Sequence, residues 1–311
     1  MSDSNLSSIA IAAESTFGTA PTTGFKTFRY TGESLNFNIS NTQSAQIRAD
    51  RNVNELVRTD ASSSGDLNFE LSYGTLDDLL EGLLCSTWDS GSGVLKNGAT
   101  AKSFSIEKNF GAGVTNPFHL FKGMTPSSMG LSVSAGDMVT GNMSFLGKTM
   151  ATATSKQNSS AIAAATTSSV MNAVNNVAVL TEGSTNMLGV GSDKVMSLDI
   201  SIENNLRVRN SIGTLGATSI GMGQFVVTGS MSVYFASGGV FNKFLNNTDS
   251  SLSFQVSDGT NSYTFLLPKI EYTGGQVVAG STNSDVMAEM EFQAKYDATS
   301  ANQCTLKITR A

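Results

Sequence analysis

The chain has 311 residues, 40% hydrophobic and only 14% charged, with a net charge of −6 and a pI near 4.9. An average soluble protein is roughly 25% charged, so much of this surface must carry Ser, Thr, Asn and Gly. The acidic balance excludes a protein that grips nucleic acid through a basic face. It does not exclude one past which nucleic acid slides, because an acidic wall offers DNA no counterion release.

The length suggests about two domains, each able to bury its own core. The N-terminal MSDSNLSSIAIAAES has no positive n-region and only a short apolar run, IAIAA. It does not read as a secretory signal. No stretch approaches the length of a membrane-spanning helix. A cytosol-like compartment is therefore expected until assembly, with no membrane partner.

Period-2 alternation dominates from Ser34 onward. Leu35, Phe37 and Ile39 alternate with Asn36 and Asn38, which predicts a strand with one apolar and one polar face. The segment Asn41–Ser64 follows, a long loop or hairpin extension carrying Arg48, Arg51 and Arg58. Leu67, Phe69 and Leu71 predict the next strand. Leu76, Leu79, Leu80, Leu83 and Leu84 then fall at helical spacing on one stripe. Thr75, three residues before Asp78, resembles an N-terminal cap. Asp77 and Asp78 read as first-turn acids favoured by the helix dipole. His119, in NPFHLFKG, reads as a strand residue facing polar surroundings.

Thr149–Asn186 is rich in Ala, Ser, Thr and Asn. It reads as a flexible connector or, through its Val and Ile residues, as a segment docked on a neighbouring surface. After it the same grammar returns. Leu198, Ile200 and Ile202 alternate, then comes the Gly-rich loop Asn204–Gly223 with Arg207 and Arg209. Met231, Val233 and Phe235 follow, and then a second short helix, GGVFNKFLNN. Two further runs complete the alternation, Leu252–Val256 and Tyr263–Leu267, joined by a hairpin connection at SDGTNS.

The chain is thus written twice. SLNFNISN at Ser34 matches SLDISIEN at Ser197, a step of 163 (197 − 34). GDLNFELSY at Gly65 matches GSMSVYFAS at Gly229, a step of 164 (229 − 65), and MSFLGK at Met143 matches MEFQAK at Met290, a step of 147 (290 − 143). Val240 then aligns with Leu76, and Phe244 with Leu80.

The search for chemistry finds no catalytic, cofactor or metal site. His119 is the single histidine and has no acidic neighbour in sequence, so neither a His-based metal site nor a base–nucleophile pair is in view. Cys85 and Cys304 lie in no CxxC pattern and read as buried free thiols. The Gly-rich stretches lack the Lys and the strand–turn–helix context of a phosphate loop. No G-x-S-x-G elbow and no calcium loop occurs. Two arginine-bearing loops at equivalent places suggest a shared job: Arg48, Arg51, Arg58, Arg207 and Arg209 are candidates for an interface with acidic surface on a neighbouring subunit, where bidentate pairs would fix orientation, the alternative being solvated loop charge.

AAESTFGTAPTTGFKTFRYTGESLNF resembles the start of tail tube proteins of long non-contractile-tailed bacteriophages. Glu14, the Gly18-Thr19-Ala20-Pro21 turn and Tyr30-Thr31-Gly32-Glu33-Ser34-Leu35 carry the likeness, and the GDLNFELSYGTLDDLLEGLL strand–helix extends it. The general layout agrees from about Ala12 to Lys307. The resemblance implies two tandem tail-tube β-sandwich or β-barrel domains, each with one short flanking α-helix: 1–148 with an N-terminal arm, a connector at 149–190, and 191–311. It implies three chains per ring with pseudo-sixfold symmetry, one sheet of each domain joining its neighbours as a continuous barrel, and a long loop that reaches the adjacent ring. Rings would stack for passage of double-stranded DNA, with tail terminator, tape measure and distal tail proteins as partners, in a virion tail assembled in the bacterial cytoplasm. The competing reading is a tandem receptor- or carbohydrate-binding module of a tail tip, which would want exposed aromatics; the chain has one Trp and six Tyr.

Overall fold

A computed structural model describes residues 3–189, 191 and 193–311. The protein is mainly β, in two sandwich units with one short helix each. The first unit runs β1 (Ser8–Ala13), β2 (Lys26–Phe28), β3 (Gly32–Glu33), β4 (Asn36–Gln43), β5 (Leu56–Glu70), α1 (Asp77–Leu83), β6 (Val94–Lys96), β7 (Phe104–Asn109), β8 (Phe118–Ser134), β9 (Thr140–Gly147) and β10 (Thr149–Ala153). There follow β11 (Val177–Glu182), β12 (Thr185–Asn186), β13 (Val195–Glu203), β14 (Arg207–Arg209), β15 (Ser219–Gly221), β16 (Val226–Tyr234), α2 (Gly239–Leu245), β17 (Ser250–Ser257), β18 (Ser262–Ala279), β19 (Val286–Ala294) and β20 (Lys307–Arg310).

Each unit has an inner and an outer sheet, and one long strand belongs to both. In the first, β4–β5–β9–β8 forms the inner sheet and β2–β1–β7–β8–β10 the outer. In the second, β13–β16–β19–β18 is inner, and β12–β11–β17–β18–β20 is outer. The shared strands change sheet at β-bulges: the register shifts between Pro126 and Ser128 in β8, and between Tyr272 and Gly274 in β18. A bulge adds one unpaired residue and bends the strand. Here it turns β8 and β18 across the core.

The core follows from the alternation. Leu67, Phe69, Met129, Leu131, Met143 and Phe145 line the first sandwich, and Leu198, Ile200, Ile202, Met231, Met290 and Phe292 the second; all are buried. The five leucines of the α1 stripe are each at most 2% exposed, worth about 1.5–3 kcal/mol apiece in burial. Thr75 does not cap this helix. Leu76 occupies the N-cap without a side-chain bond, and Thr75 Oγ1 instead meets Ser72 Oγ at 2.6 Å. Asp77 and Asp78 do lie in the first turn, and the Asp77 carboxylate is in addition committed to the second unit, as described below.

The ladders refine the repeat. Gly65 lies opposite Phe145 as Gly229 lies opposite Phe292, and Leu67 pairs Met143 as Met231 pairs Met290. These confirm the 164- and 147-residue steps. The first match slips, however. Leu35 falls opposite Gly65, between the pairs Glu33–Leu67 and Asn36–Ser64, whereas Gly229 faces Ile200. The structural partner of Leu35 is therefore Ile200, not Leu198. A two-residue slip leaves every side chain on its original face, so hydrophobic pattern could not detect it.

The step then drops from 164 at Gly65–Gly229 to 146 at the bulges Ser127–Thr273. The difference is an insertion of eighteen residues in the first unit, and it holds β6. That strand leaves its own unit and pairs with β20, placing Leu95 opposite Ile308. The connector is also ordered. Ala163 N donates to Phe25 O at 2.9 Å, and Arg29 Nη1 to Ser168 O at 2.6 Å. Ile162 packs on a small second core of Ala10, Ala12, Phe25 and Leu120. Of its two expected behaviours the connector docks: its start, as β10, and the stretch around Ala163 lie on the first unit, and its end supplies β11 and β12 to the outer sheet of the second.

Candidate assembly and channel-wall surface

The two inner sheets are one sheet. β8 of the first unit pairs antiparallel with β13 of the second from Ser197–Ser134 to Glu203–Ser128. The strand order becomes β4–β5–β9–β8–β13–β16–β19–β18. One face packs on the core. The other is a trough of about 840 Å³ that crosses the join, lined by Asn68, Glu70, Gly130, Ser132, Asn142, Asp199, Ser201, Ser230 and Glu291 among others.

Alternation decides what this trough presents. Asp66 and Glu70 on β5, Asp199 and Glu203 on β13, and Glu289 and Glu291 on β19 all sit opposite the core side chains of their strands. The inner-sheet stretches 32–40, 60–70, 128–134, 140–147, 195–203, 226–234, 270–279 and 286–294 contain no Lys or Arg. The trough is thus uniformly acidic, on a bed of Ser, Thr, Asn and Gly. Such a wall repels a polyanion and gives it no cation to exchange counterions with.

Glycine lets the sheet pack where a side chain would strike a core aromatic or the neighbouring strand's backbone. A Cβ on Gly229 would lie 2.4 Å from Phe292 Cζ, and one on Gly65, at φ +137°, 2.5 Å from Ser34 O. Each glycine sits across from its unit's phenylalanine, and neither position has room for a side chain.

The join is reinforced twice. Asn204, 4% exposed, donates from Nδ2 to Leu83 O at 2.7 Å and to Pro126 O at 3.1 Å. It satisfies the carbonyl end of α1 and the kink of β8 from across the seam, leaving fewer buried carbonyls without a donor. On the outer side, Asp77 accepts from Tyr263 Oη and from Arg310 Nη1, the latter at 2.6 Å. Tyr263 stacks on Tyr73 at 5.0 Å, and Arg310 lies 4.7 Å from the Trp88 ring. Burial first, then the Asp77 charge, pushes the Tyr263 phenol above its ordinary range. It therefore stays a neutral donor at any physiological pH.

The five arginines fall on two different structures. Arg48, Arg51 and Arg58 belong to the β4–β5 hairpin, which projects with Ile47, Val53 and Leu56 exposed. Arg48 already spends its fork on Asp50, Nε to Oδ1 at 2.9 Å and Nη2 to Oδ2 at 2.7 Å. That pairing, with help from Asn52, holds the Asp50 carboxyl well below the usual range. Arg51 sits at the turn with φ 64°. Arg207 and Arg209 share β14, which pairs with β15 in a loop folded back on the first unit. There Ala217 is buried, and a Cβ on Gly216 would touch Ala61 O and Lys148 O. Equivalent places in the repeat thus carry one projecting hairpin and one docked loop.

Elsewhere the chemistry is sparse. His119 lies on β8 between the cross-strand neighbours Lys108 and Thr152, with its ring edge also against Phe110 at 4.8 Å, and burial followed by the Lys108 charge lowers its pKa. Cys85 and Cys304 are free and buried, and burial raises both thiols. Among the described residues no group of three or more His, Cys, Asp or Glu is placed to hold a metal, and no helix is long and apolar enough to cross a membrane. Sequence reasoning had not placed the six trough acids. Their signal lay in the polar positions of the alternation, read only as a wet face.

The result is an eight-stranded sheet with an acidic polar trough on one side and, among the described residues, a free edge at either end. The chain belongs to the phage tail tube protein family: the family model of that description matches residues 4–294. No curated protein matches it. Its place is accordingly the virion tail, as a structural component of the tube.

Proposed function

We propose that three copies close into a ring of six sandwich units, and that rings stack into the tube of a long, non-contractile phage tail through which double-stranded DNA passes. The observation that carries this is the β8–β13 seam. It shows how one unit adds to the next in this protein, and the same geometry repeated between copies prolongs the sheet instead of capping it. Three chains would contribute twenty-four inner strands. Barrels of about 16–18 strands already leave an aqueous channel, and closure removes the exposed edges that an open sheet must otherwise protect.

In such a ring the trough faces the lumen and the acids line the DNA path. The projecting β4–β5 hairpin, with Arg48, Arg51 and Arg58, is the element free to reach an adjacent ring, while the loop bearing Arg207 and Arg209 is already engaged within its chain. Head-to-tail stacking through a second surface is the heterologous contact that builds tubes. The role is structural and not enzymatic. Tail terminator, tape measure and distal tail proteins are the expected partners, with assembly in the host cytoplasm.

Electron microscopy of purified protein and of virion tails tests the reading. Top views should show six similar lobes with threefold modulation. Compact monomers at every concentration, or rings with a number of lobes other than six, would refute it.

A further inference from the structure

Both ends of the inner sheet are open among the described residues: β4 pairs only with β5, and the far half of β18 only with β19. These are the structural counterparts of β13 and of the far half of β8, the two strands that meet inside the chain. Their apolar residues are correspondingly underprotected. Phe37 and Val277 are half-buried, whereas their counterparts in the internal seam, Ile202 and Leu131, are 1% and 4% exposed.

Resting on the ring reading above, we infer that a second copy of this chain covers each open edge, and that the register of that contact is copied from the internal seam. Inside the chain Ile200 faces Leu131, Ser201 faces Gly130 and Ile202 faces Met129. The ladder equivalences carry these pairs onto Leu35 opposite Val277, Asn36 opposite Gln276, and Phe37 opposite Gly275 of the next copy. The small Gly275 then receives Phe37, the larger partner, in a pair whose internal counterpart is Ile202 with Met129. Asn36 and Gln276 meet on the trough face, where both are exposed.

The alternative is specific. The sequence match, which aligns Ser34 with Ser197, would shift the contact by two residues and set Asn38 opposite Gln276. Two residues along a strand are about 6.6–6.8 Å. Directly opposed Cα atoms lie about 4.5–5.5 Å apart, so only the correct pair falls inside the roughly 7 Å limit of a disulfide.

The test is oxidative cross-linking of two double variants in the full chain, Asn36→Cys/Gln276→Cys and Asn38→Cys/Gln276→Cys, with assembly monitored by electron microscopy. All three substituted positions are exposed, and the native cysteines are buried. The first pair should cross-link about tenfold faster than the second and yield closed covalent oligomers. Faster linking of the second pair would overturn the register. Rings that link through neither pair would overturn the strand assignment while leaving the ring reading intact. Absence of rings in the unmodified protein would overturn both.

Discussion

Asp77→Ala separates the clamp from the rest of the fold. The Asp77 carboxylate is 19% exposed and serves two groups of the second unit, Tyr263 and Arg310. Without it, Tyr263 still accepts from Gly74 N at 2.8 Å, but its buried hydroxyl proton has no acceptor, which costs about 1–2 kcal/mol. Arg310, a third exposed, can turn toward water, so the lost ion pair adds only about 0.5–1 kcal/mol. The total is about 1.5–3 kcal/mol. For a chain of this length that corresponds to about 2–5 °C in melting temperature. Urea unfolding of the purified protein measures it, and a double-mutant cycle with Tyr263→Phe isolates the pair. Coupling of about 1–2 kcal/mol is expected, because each single variant already abolishes the same hydrogen bond. A destabilisation below about 0.5 kcal/mol, or additive effects within about 0.3 kcal/mol, would refute the claim that this contact ties the units together.

Four other outcomes follow from the same geometry. Gly229→Ala should destabilise by about 1–3 kcal/mol through overpacking against Phe292, and Phe292→Leu in the same chain should recover part of the loss in thermal melts. Glu291→Lys with Asp199→Lys should leave tails intact but slow genome ejection, more at low salt than at high; unchanged ejection kinetics would remove the lumen from this face. Arg48→Ala with Arg51→Ala should shorten or reduce stacked tubes without altering the unfolding midpoint, and tubes of ordinary length and yield would count against a stacking role. The Asp249 carboxyl is held low by Lys295 and Lys269, so its contribution is present above the ordinary carboxylate pKa and fades as pH falls through the lowered one. The stability gap between Asp249→Asn and the parent should therefore close on acidification, and a gap that persisted in acid would assign the effect to something other than charge.

Much of this fold was legible because burial on one face writes itself into the sequence with period two. Leu67, Phe69, Leu198 and Ile200 announced their strands, and the α1 leucines their helix. Register was not legible in the same way. SLNFNISN and SLDISIEN are alike at a step that keeps every side chain on its face, so composition cannot tell that step from the true one two residues away. Only the ladders, pinned by the Gly65–Phe145 and Gly229–Phe292 pairs, decide it. The trough was half legible: Glu70, Asp199 and Glu291 stood in polar positions, but the convergence of Glu70 with the other two on one surface depends on the β8–β13 pairing, which brings together residues far apart in sequence. The clamp of Asp77, Tyr263 and Arg310 was hidden for the same reason. The fate of the loops was hidden too, because a Gly-rich and a charged loop differ in what they can dock against, not in where they start.

The β6 strap exists in one unit only, and this gives the wall a grain. A ring of identical units would carry hoop load equally at every seam. Here the seam within each chain is held by a shared ladder, a β6–β20 crossover and the Asp77 clamp, whereas the proposed seam between chains has no inserted strand to borrow. A tube built this way would yield along three lines rather than six, and a ring would both come apart and first close at those lines.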